Sequence, residues 1–377
     1  MPGSSEIDPA RLGAQVDSLA AIEQLRSIAE RVPAFLVGGV VRDLLLGRDV
    51  ADLDVAIEGD AEALMDLAGF SLERDALFLT GRLERDDVKI DVAQARAESY
   101  PAPGALPEVR PASIDEDLAR RDFTINAMAF PLGGDRQLLD PHAGVEDLRA
   151  GELRVLHDGS FVDDPTRALR AARYAARFGF ELEPGTERLL RAADLSTVSE
   201  DRIDKELGHI AAERDPAAAL RLIADWGVMP SLDPNAADRV AEVTRLAAAP
   251  PWSAWVDRGL AVKLAIVRPL PQIRELAGAT PERASEGTRL AQPWDPAQLL
   301  VARALGAEWL DRYASEWRHV TLEIRGDDLL AAGITQGPAV GRGLEAALSG
   351  RLDHEISGRE EELRIALAAA RGEIPED

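Results

Sequence analysis

Residues 35–59 read FLVGGVVRDLLLGRDVADLDVAIEG, and three changes of pattern within this stretch decide the fold. The short apolar run Ala34 to Val37 has the make-up of a buried strand. Gly38-Gly39 interrupts it, and Val40 to Leu46 is too compact for a second strand and reads as a helix. From Asp52 to Ile57 apolar and polar residues alternate, as in a strand with one face in the core. Asp52 and Asp54 are two apart on that strand, so both carboxylates leave one face while Leu53 and Val55 point inward. Two carboxylates on one face repel unless cations join them. Paired Mg²⁺ ions, which prefer oxygen ligands and keep room for phosphate oxygens, are the natural occupants.

Downstream, Phe78 to Glu84 and Val88 to Ala93 alternate in the same way. Asp91 sits opposite its apolar neighbours, either completing a carboxylate triad or standing as an ordinary solvent-facing acid. Upstream, residues 8–32 have apolar positions at helical spacing behind Asp8-Pro9 and read as one helix. The first 140 residues are therefore a mixed α/β unit. From about Gly151 the spacing turns helical, broken by Pro or Gly near 184, 216, 230, 250, 293 and 337, so this half is expected to be all-α.

Composition limits what such a chain can do. With 377 residues, 46% of them hydrophobic and 29% charged, it can bury a core and is not a disordered chain. The absence of cysteine excludes disulfides, thiolate–zinc sites and thiol catalysis, and five scattered histidines leave metal binding to carboxylates. No apolar run is long enough to span a membrane, and the opening MPGSSEID lacks the features of a secretory signal, so a soluble cytoplasmic protein is expected. The net charge of −24 argues against a generic nucleic-acid coat but not against a local basic track. Lys89, Lys205 and Lys263 are the only lysines; the other cations are arginines, whose planar forks suit phosphates and base edges.

Gly38-Gly39 is followed by neither the Gly-Lys-Ser/Thr of a phosphate-binding loop nor a dinucleotide G-x-G-x-x-G pattern. Gly38-Gly39-x-Val41-Arg42-Asp43, Leu45-Leu46-Gly47-Arg48 and Asp52-x-Asp54 together resemble the first signature of the class II tRNA nucleotidyltransferase and bacterial poly(A) polymerase family. Further segments follow in order. Arg120-Arg121-Asp122-Phe123-Thr124-Ile125-Asn126-Ala127 is similar to the second motif, and Asp140-Pro141 with Gly144 to Leu148 resembles the connector after the palm. Asp163-Asp164-Pro165-Thr166-Arg167 resembles the fourth motif, and Ser199 to Leu207 the fifth, where Arg202 and Glu206 are spaced to pair. Two departures stand out: Asp163 replaces the usual Glu, and Tyr174 stands where Phe is common, read as a packing change.

The resemblance implies an α+β architecture: a polymerase-β-like palm with a mixed sheet over 1–150, a helical neck over 151–225, and a helical body and tail over 226–377 that bind tRNA. It implies that Asp52 and Asp54, with Asp91 as a weaker third, serve two Mg²⁺ ions in moving a nucleotide from CTP or ATP to a tRNA 3′ end. Nucleotide contacts then fall to Gly38, Gly39, Arg42, Arg121, Asp122, Asn126, Asp164, Arg167, Arg170 and Arg173. Chemistry gives Asp164 and Arg167 a purpose, because a carboxylate accepts from the amino group of cytosine or adenine and a guanidinium donates to their ring acceptors. Three apart, they are expected as neighbours on one helix face, where such residues standing alone more often form a surface ion pair. Arg170, Arg173 and Arg177 would continue as a basic stripe, some of them paired to acids. The motifs leave open full CCA addition, an A-adding or CC-adding member of a split system, poly(A) synthesis, and a non-catalytic RNA-binding protein, against which the intact Asp52 and Asp54 argue.

Overall fold

The computed structural model describes residues 7–50, 52–75, 78–85, 88–191 and 193–373. The chain divides into two compact units, Met1–Arg214 with Ala218–Pro230, and Asp215–Ala217 with Ser231–Asp377.

The first unit is built on a mixed six-stranded sheet in the order β3-β4-β5-β2-β1-β8. Its strands are β1 (Ala34–Val37), β2 (Asp52–Ile57), β3 (Phe70–Asp75), β4 (Phe78–Arg85), β5 (Val88–Gln94) and β8 (Ala129–Pro131). A separate hairpin pairs β6 (Arg96–Ser99) with β7 (Glu108–Pro111). β1 runs antiparallel to β2, whereas β2 and β5 run parallel in register, Asp52 beside Lys89 and Asp54 beside Asp91. Leu36, Val55, Ile57, Ile90 and Val92 are buried in the sheet core, each side chain contributing roughly 1.5–3 kcal/mol relative to exposure.

Helices α1 (Leu12–Asp17) and α2 (Ile22–Ala29) precede the sheet, so the single helix expected over 8–32 is two helices behind a short 3₁₀ turn at Pro9–Arg11. Asp8 caps that turn by accepting from the Ala10 N–H. The break between them follows Asp17, which accepts from Arg136, 119 residues away, a contact that local periodicity cannot register. Helices α3 (Gly39–Leu45), α4 (Ile114–Ala119) and α5 (Gly144–Ala150) complete the sheet domain. Beyond it come α6 (Ser160–Asp163), α7 (Arg167–Phe178), α8 (Pro184–Leu190) and α9 (Glu200–Ala211). One correction applies after Gly151: Glu152–Leu153 and Glu181–Leu182 form a two-stranded parallel pair, so this stretch is not wholly helical.

The described part of the second unit beyond residue 230 is helical, and three of its helices open on a proline, at Pro271, Pro296 and Pro338. Helices Pro338–Leu352 and Gly358–Ala370 pack through the small residues Gly343, Ala347, Ala366 and Ala370. A Cβ on Gly343 would stand 2.5 Å from the Ala366 carbonyl oxygen, so the close approach requires glycine there. Among the described residues no helix is long and apolar enough to cross a membrane.

Candidate active site

The strand β2 alternation places Leu53 and Val55 in the core and leaves Asp52 and Asp54 on the opposite face. On β5, Ile90 and Val92 are buried, so Lys89 and Asp91 share the face of the two aspartates. Strand β4 adds Glu84 beside Lys89 and Arg82 beside Asp91. The face thus carries two rows, Glu84–Lys89–Asp52 and Arg82–Asp91–Asp54.

Asp54 lies in a cleft of about 430 Å³ shared with Arg82, Asp91, Arg96, Arg120 and Arg121. The cleft walls strip water from its carboxyl and push its pKa above the usual carboxylate range; Arg121 opposes this, and the negative charges of Asp91 and Asp52 add to it. Asp91 instead pairs with Arg82 at 2.7 Å. Among the described residues no three acidic or histidine side chains form a ready metal cage. An oxygen-seeking divalent cation fits the Asp52–Asp54 pair, two carboxylates on one exposed strand face with Asp91 beside them in register, whose mutual repulsion it would relieve. For Asp91 to join as a ligand it would have to share its oxygens with Arg82.

The sheet face ends at the Gly38 turn. Gly38 has φ +65°, and a Cβ there would stand 2.5 Å from the Arg121 guanidinium, so only glycine permits both the backbone and the packing. Asp117, buried in α4, aims that guanidinium. One of its oxygens takes Arg120 at 2.7 Å and the other takes Arg121 at 2.8 Å. Burial works to raise the Asp117 carboxyl, but Arg121 and Arg120 together hold it below the usual range.

Asp122, Asn126, Arg42 and Arg170 form one continuous network. The Asp122 carboxylate accepts from the Phe123 N–H, from the Asn126 amide at 2.9 Å, and from Arg170 at 2.6 and 2.8 Å. Burial alone would raise its pKa, yet Arg170 and the Asn126 amide outweigh that and hold it at about 2. The Asn126 side-chain oxygen accepts from Arg42, which is itself buried, pairs with Asp43 and stacks on the Phe178 ring at 4.6 Å. The expected basic stripe is spent on acids throughout: Arg170 also approaches Glu206, Arg173 approaches Glu206 and Glu213, and Arg177 pairs with Glu213. Tyr174 does more than pack, because its hydroxyl accepts from Arg170 at 3.2 Å and from Arg173 at 3.4 Å.

Asp164 and Arg167 are not neighbours on one helix face. Asp164 has extended backbone ahead of α7, whose first residue is Arg167. Its carboxylate caps the turn by accepting from the Thr166 N–H and hydroxyl, and it pairs with Arg202 at 2.7 Å. Arg202 therefore meets Asp164 and not Glu206, the partner its spacing predicted. The buried Arg167 guanidinium donates to the Ser160 hydroxyl and the Arg120 carbonyl oxygen. The helical-spacing rule failed here because the turn at Pro165 separates the two residues before the helix begins.

A cluster beside the cleft escaped the sequence reading. Glu98 accepts from Arg96, Arg120 and the Tyr100 hydroxyl, and burial, with the Glu98 charge adding to it, pushes the Tyr100 phenol up to about 12. The available signal was the period-two spacing Arg96-x-Glu98-x-Tyr100, three polar side chains leaving one side of an extended segment.

With this geometry in place, residues 34–154 match the family described as the Poly A polymerase head domain. The chain is 34% identical over 356 residues to a CC-adding tRNA nucleotidyltransferase of Deinococcus radiodurans, covering 90% of each chain. It is 41% identical over 231 residues to an A-adding tRNA nucleotidyltransferase of Halalkalibacterium halodurans, covering 57% of this chain and 54% of that one. The chain spans about half the length of the A-adding relatives from Halalkalibacterium halodurans and Geobacter sulfurreducens. Its fold superposes on the Thermotoga maritima CCA-adding enzyme complexed with tRNA with a TM-score of 0.73 at 30% identity, covering 96% of this chain and 98% of that one.

Proposed function

The chain belongs to the tRNA nucleotidyltransferase family, and on that premise we propose that it adds C and A from CTP and ATP to the 3′ end of tRNA without a nucleic-acid template. The observation that carries the reading is the pair Asp52 and Asp54 on one strand face, with Asp91 beside Asp54 and the Gly38–Arg121 contact at the neighbouring strand end. Asp52 and Asp54 would hold two Mg²⁺ ions, which when bound would supply a lowered pKa at the 3′ hydroxyl and neutralisation of triphosphate charge. The 3′ oxygen gives up its proton to solvent water and attacks the α-phosphorus, the bond from the α-phosphorus to the bridging β-phosphate oxygen breaks, and pyrophosphate leaves.

Gly38, Gly39 and Arg121 take the triphosphate, since the turn is bare of side chains and Asp117 aims the guanidinium at it. Arg42, Asp122, Asn126, Arg170 and Arg173 serve nucleotide binding by fixing one another, because their charged groups already engage protein partners. Asp164 and Arg167 read the base from the turn before α7, a carboxylate and a guanidinium fixed by separate partners rather than by each other. Residues 1–150 act as head, 151–225 as neck, and 226–377 as the body and tail that hold tRNA in the cytoplasm.

Addition of A alone is the second reading, favoured by the identity to the A-adding relatives. Transcripts ending at the discriminator base, at C and at CC, each given CTP, ATP or both and read at single-nucleotide resolution, test the choice. Full CCA addition that stops there is expected. Activity confined to the CC end would make the protein A-adding, a stop after two cytidines CC-adding, and a homopolymeric A ladder a poly(A) polymerase.

A further inference from the structure

We propose that Lys89 binds the acceptor strand: its ammonium takes a backbone phosphate of the RNA whose 3′ end is being extended. The inference rests on the nucleotidyl-transfer reading and adds to it a residue that none of the motifs contains.

Position comes first. Lys89 stands in register between Asp52 on β2 and Glu84 on β4, on the exposed face that carries the catalytic aspartates. Its availability is the second point. Among the described residues the Lys89 ammonium has no hydrogen-bond or ion-pair partner, although a carboxylate lies to either side in the sheet. The other cation on this face, Arg82, is engaged with Asp91.

Sidedness supplies the direction. The Gly38 turn leaves β1, on one flank of β2, while β5 and β4 lie on the other. An in-line displacement keeps the attacking and leaving oxygens on opposite sides of the phosphorus. With the triphosphate at the Gly38–Arg121 end, the attacking strand approaches from the flank of β5, where Lys89 is the unpaired cation among the described residues. The residue type fits the task. A lysine is a compact charge on a flexible stem, suited to a phosphodiester that shifts as the RNA end grows, whereas the arginines of this site are forks already locked to partners.

The test uses the full chain with Lys89→Ala, Lys89→Gln and Lys89→Arg. For Lys89→Ala and Lys89→Gln, the KM for tRNA transcript is expected to rise about three- to tenfold with the KM for CTP and ATP unchanged. The slope of log affinity for tRNA against log salt, measured by direct binding without nucleotide, should become shallower by about 0.7–0.9. Lys89→Arg should restore most of both quantities. An unchanged tRNA KM and salt slope, or a rise confined to the nucleotide KM, overturns the assignment. Asp54→Ala run in parallel separates the two readings. If Asp54→Ala is inactive while Lys89→Ala behaves as wild type, the Lys89 inference alone fails, whereas an active Asp54→Ala removes the premise beneath it.

Discussion

Asp54 and Asp122 are carboxylates of the same unit, each within reach of an arginine's field, and the protein treats them in opposite ways. Asp122 has a donor for every purpose: a backbone N–H, an amide and a two-pronged guanidinium, and its pKa falls to about 2. Asp54 has no hydrogen-bond partner among the described residues, two acids for company, and a raised pKa. The fold completes one carboxylate and leaves the other incomplete. A buried carboxylate whose donors are all supplied by the protein specifies structure, whereas one left without a donor on an open cleft wall is a candidate for completion by a ligand.

The sharpest way to break this contrast is to remove each acid in turn. Asp54→Ala is expected to drop addition of either nucleotide below a few per cent of wild type in saturating Mg²⁺, with tRNA affinity changed less than about tenfold. Its stability should hold or rise slightly. A carboxyl whose folded pKa is raised opposes the fold once it is ionised, so deleting it removes a penalty. Substantial residual activity would show that the metal site lies elsewhere.

Asp122→Ala should do the reverse, costing about 2–3 kcal/mol in denaturant unfolding, because it leaves Arg170 and Asn126 without their acceptor. The figure is set below that of a fully buried pair, since Arg170 is 30% exposed. The sign with pH follows from the depressed pKa. The Asp122 contribution is fully present above about pH 4, the unfolded value, and is lost as pH falls through about 2. A variant with wild-type stability at pH 7, or one that keeps the wild-type loss between pH 4 and 2, would show that the network is not what holds these segments together.

Smaller effects are expected at Asp164 and Arg167, the residues proposed to read the base. Asp164→Ala or Arg167→Ala should lower the preference for CTP and ATP over UTP and GTP by about 1–3 kcal/mol, measured as ratios of kcat/KM. Unchanged ratios in both variants would remove these residues from base choice and leave them a purely structural role, like that of Asp122.

The same contrast explains what could be read from the sequence. Strand β1, helix α3 and strand β2 were legible because an apolar run, a glycine pair and a period-two alternation change within 25 residues, and each change has a local cause. The common face of Asp52 and Asp54 follows from the alternation, whereas the place of Asp91 beside Asp54 depends on the pairing of two strands, which the alternation leaves open. Strand β3, with the sequence FSLERD, went unseen because two apolar residues make too weak a pattern. Partner choice was not legible at all. That Arg202 reaches Asp164, that Arg170 reaches Asp122 and that Asp17 takes Arg136 depends on chain segments brought together from 38, 48 and 119 residues apart.

The parallel register of β5 against β2 has a consequence for how this site can change by insertion and deletion. Moving β5 by one residue would turn Ile90 and Val92 out of the core and would be rejected on folding. A two-residue shift keeps every apolar side chain inside, and so the core would scarcely register it. In one direction it would bring Lys89 level with Asp54 and carry Asp91 to Ala56, placing a positive charge at the proposed cation site; in the other it would set Asp91 against Asp52 and leave Asp54 beside Ala93. A pair of residues gained or lost in the connection between β4 and β5 is therefore a lesion invisible to stability screens and plain in an activity assay. Hydrophobic pattern alone cannot choose among these registers; the ion pair joining Arg82 to Asp91 is one contact that can.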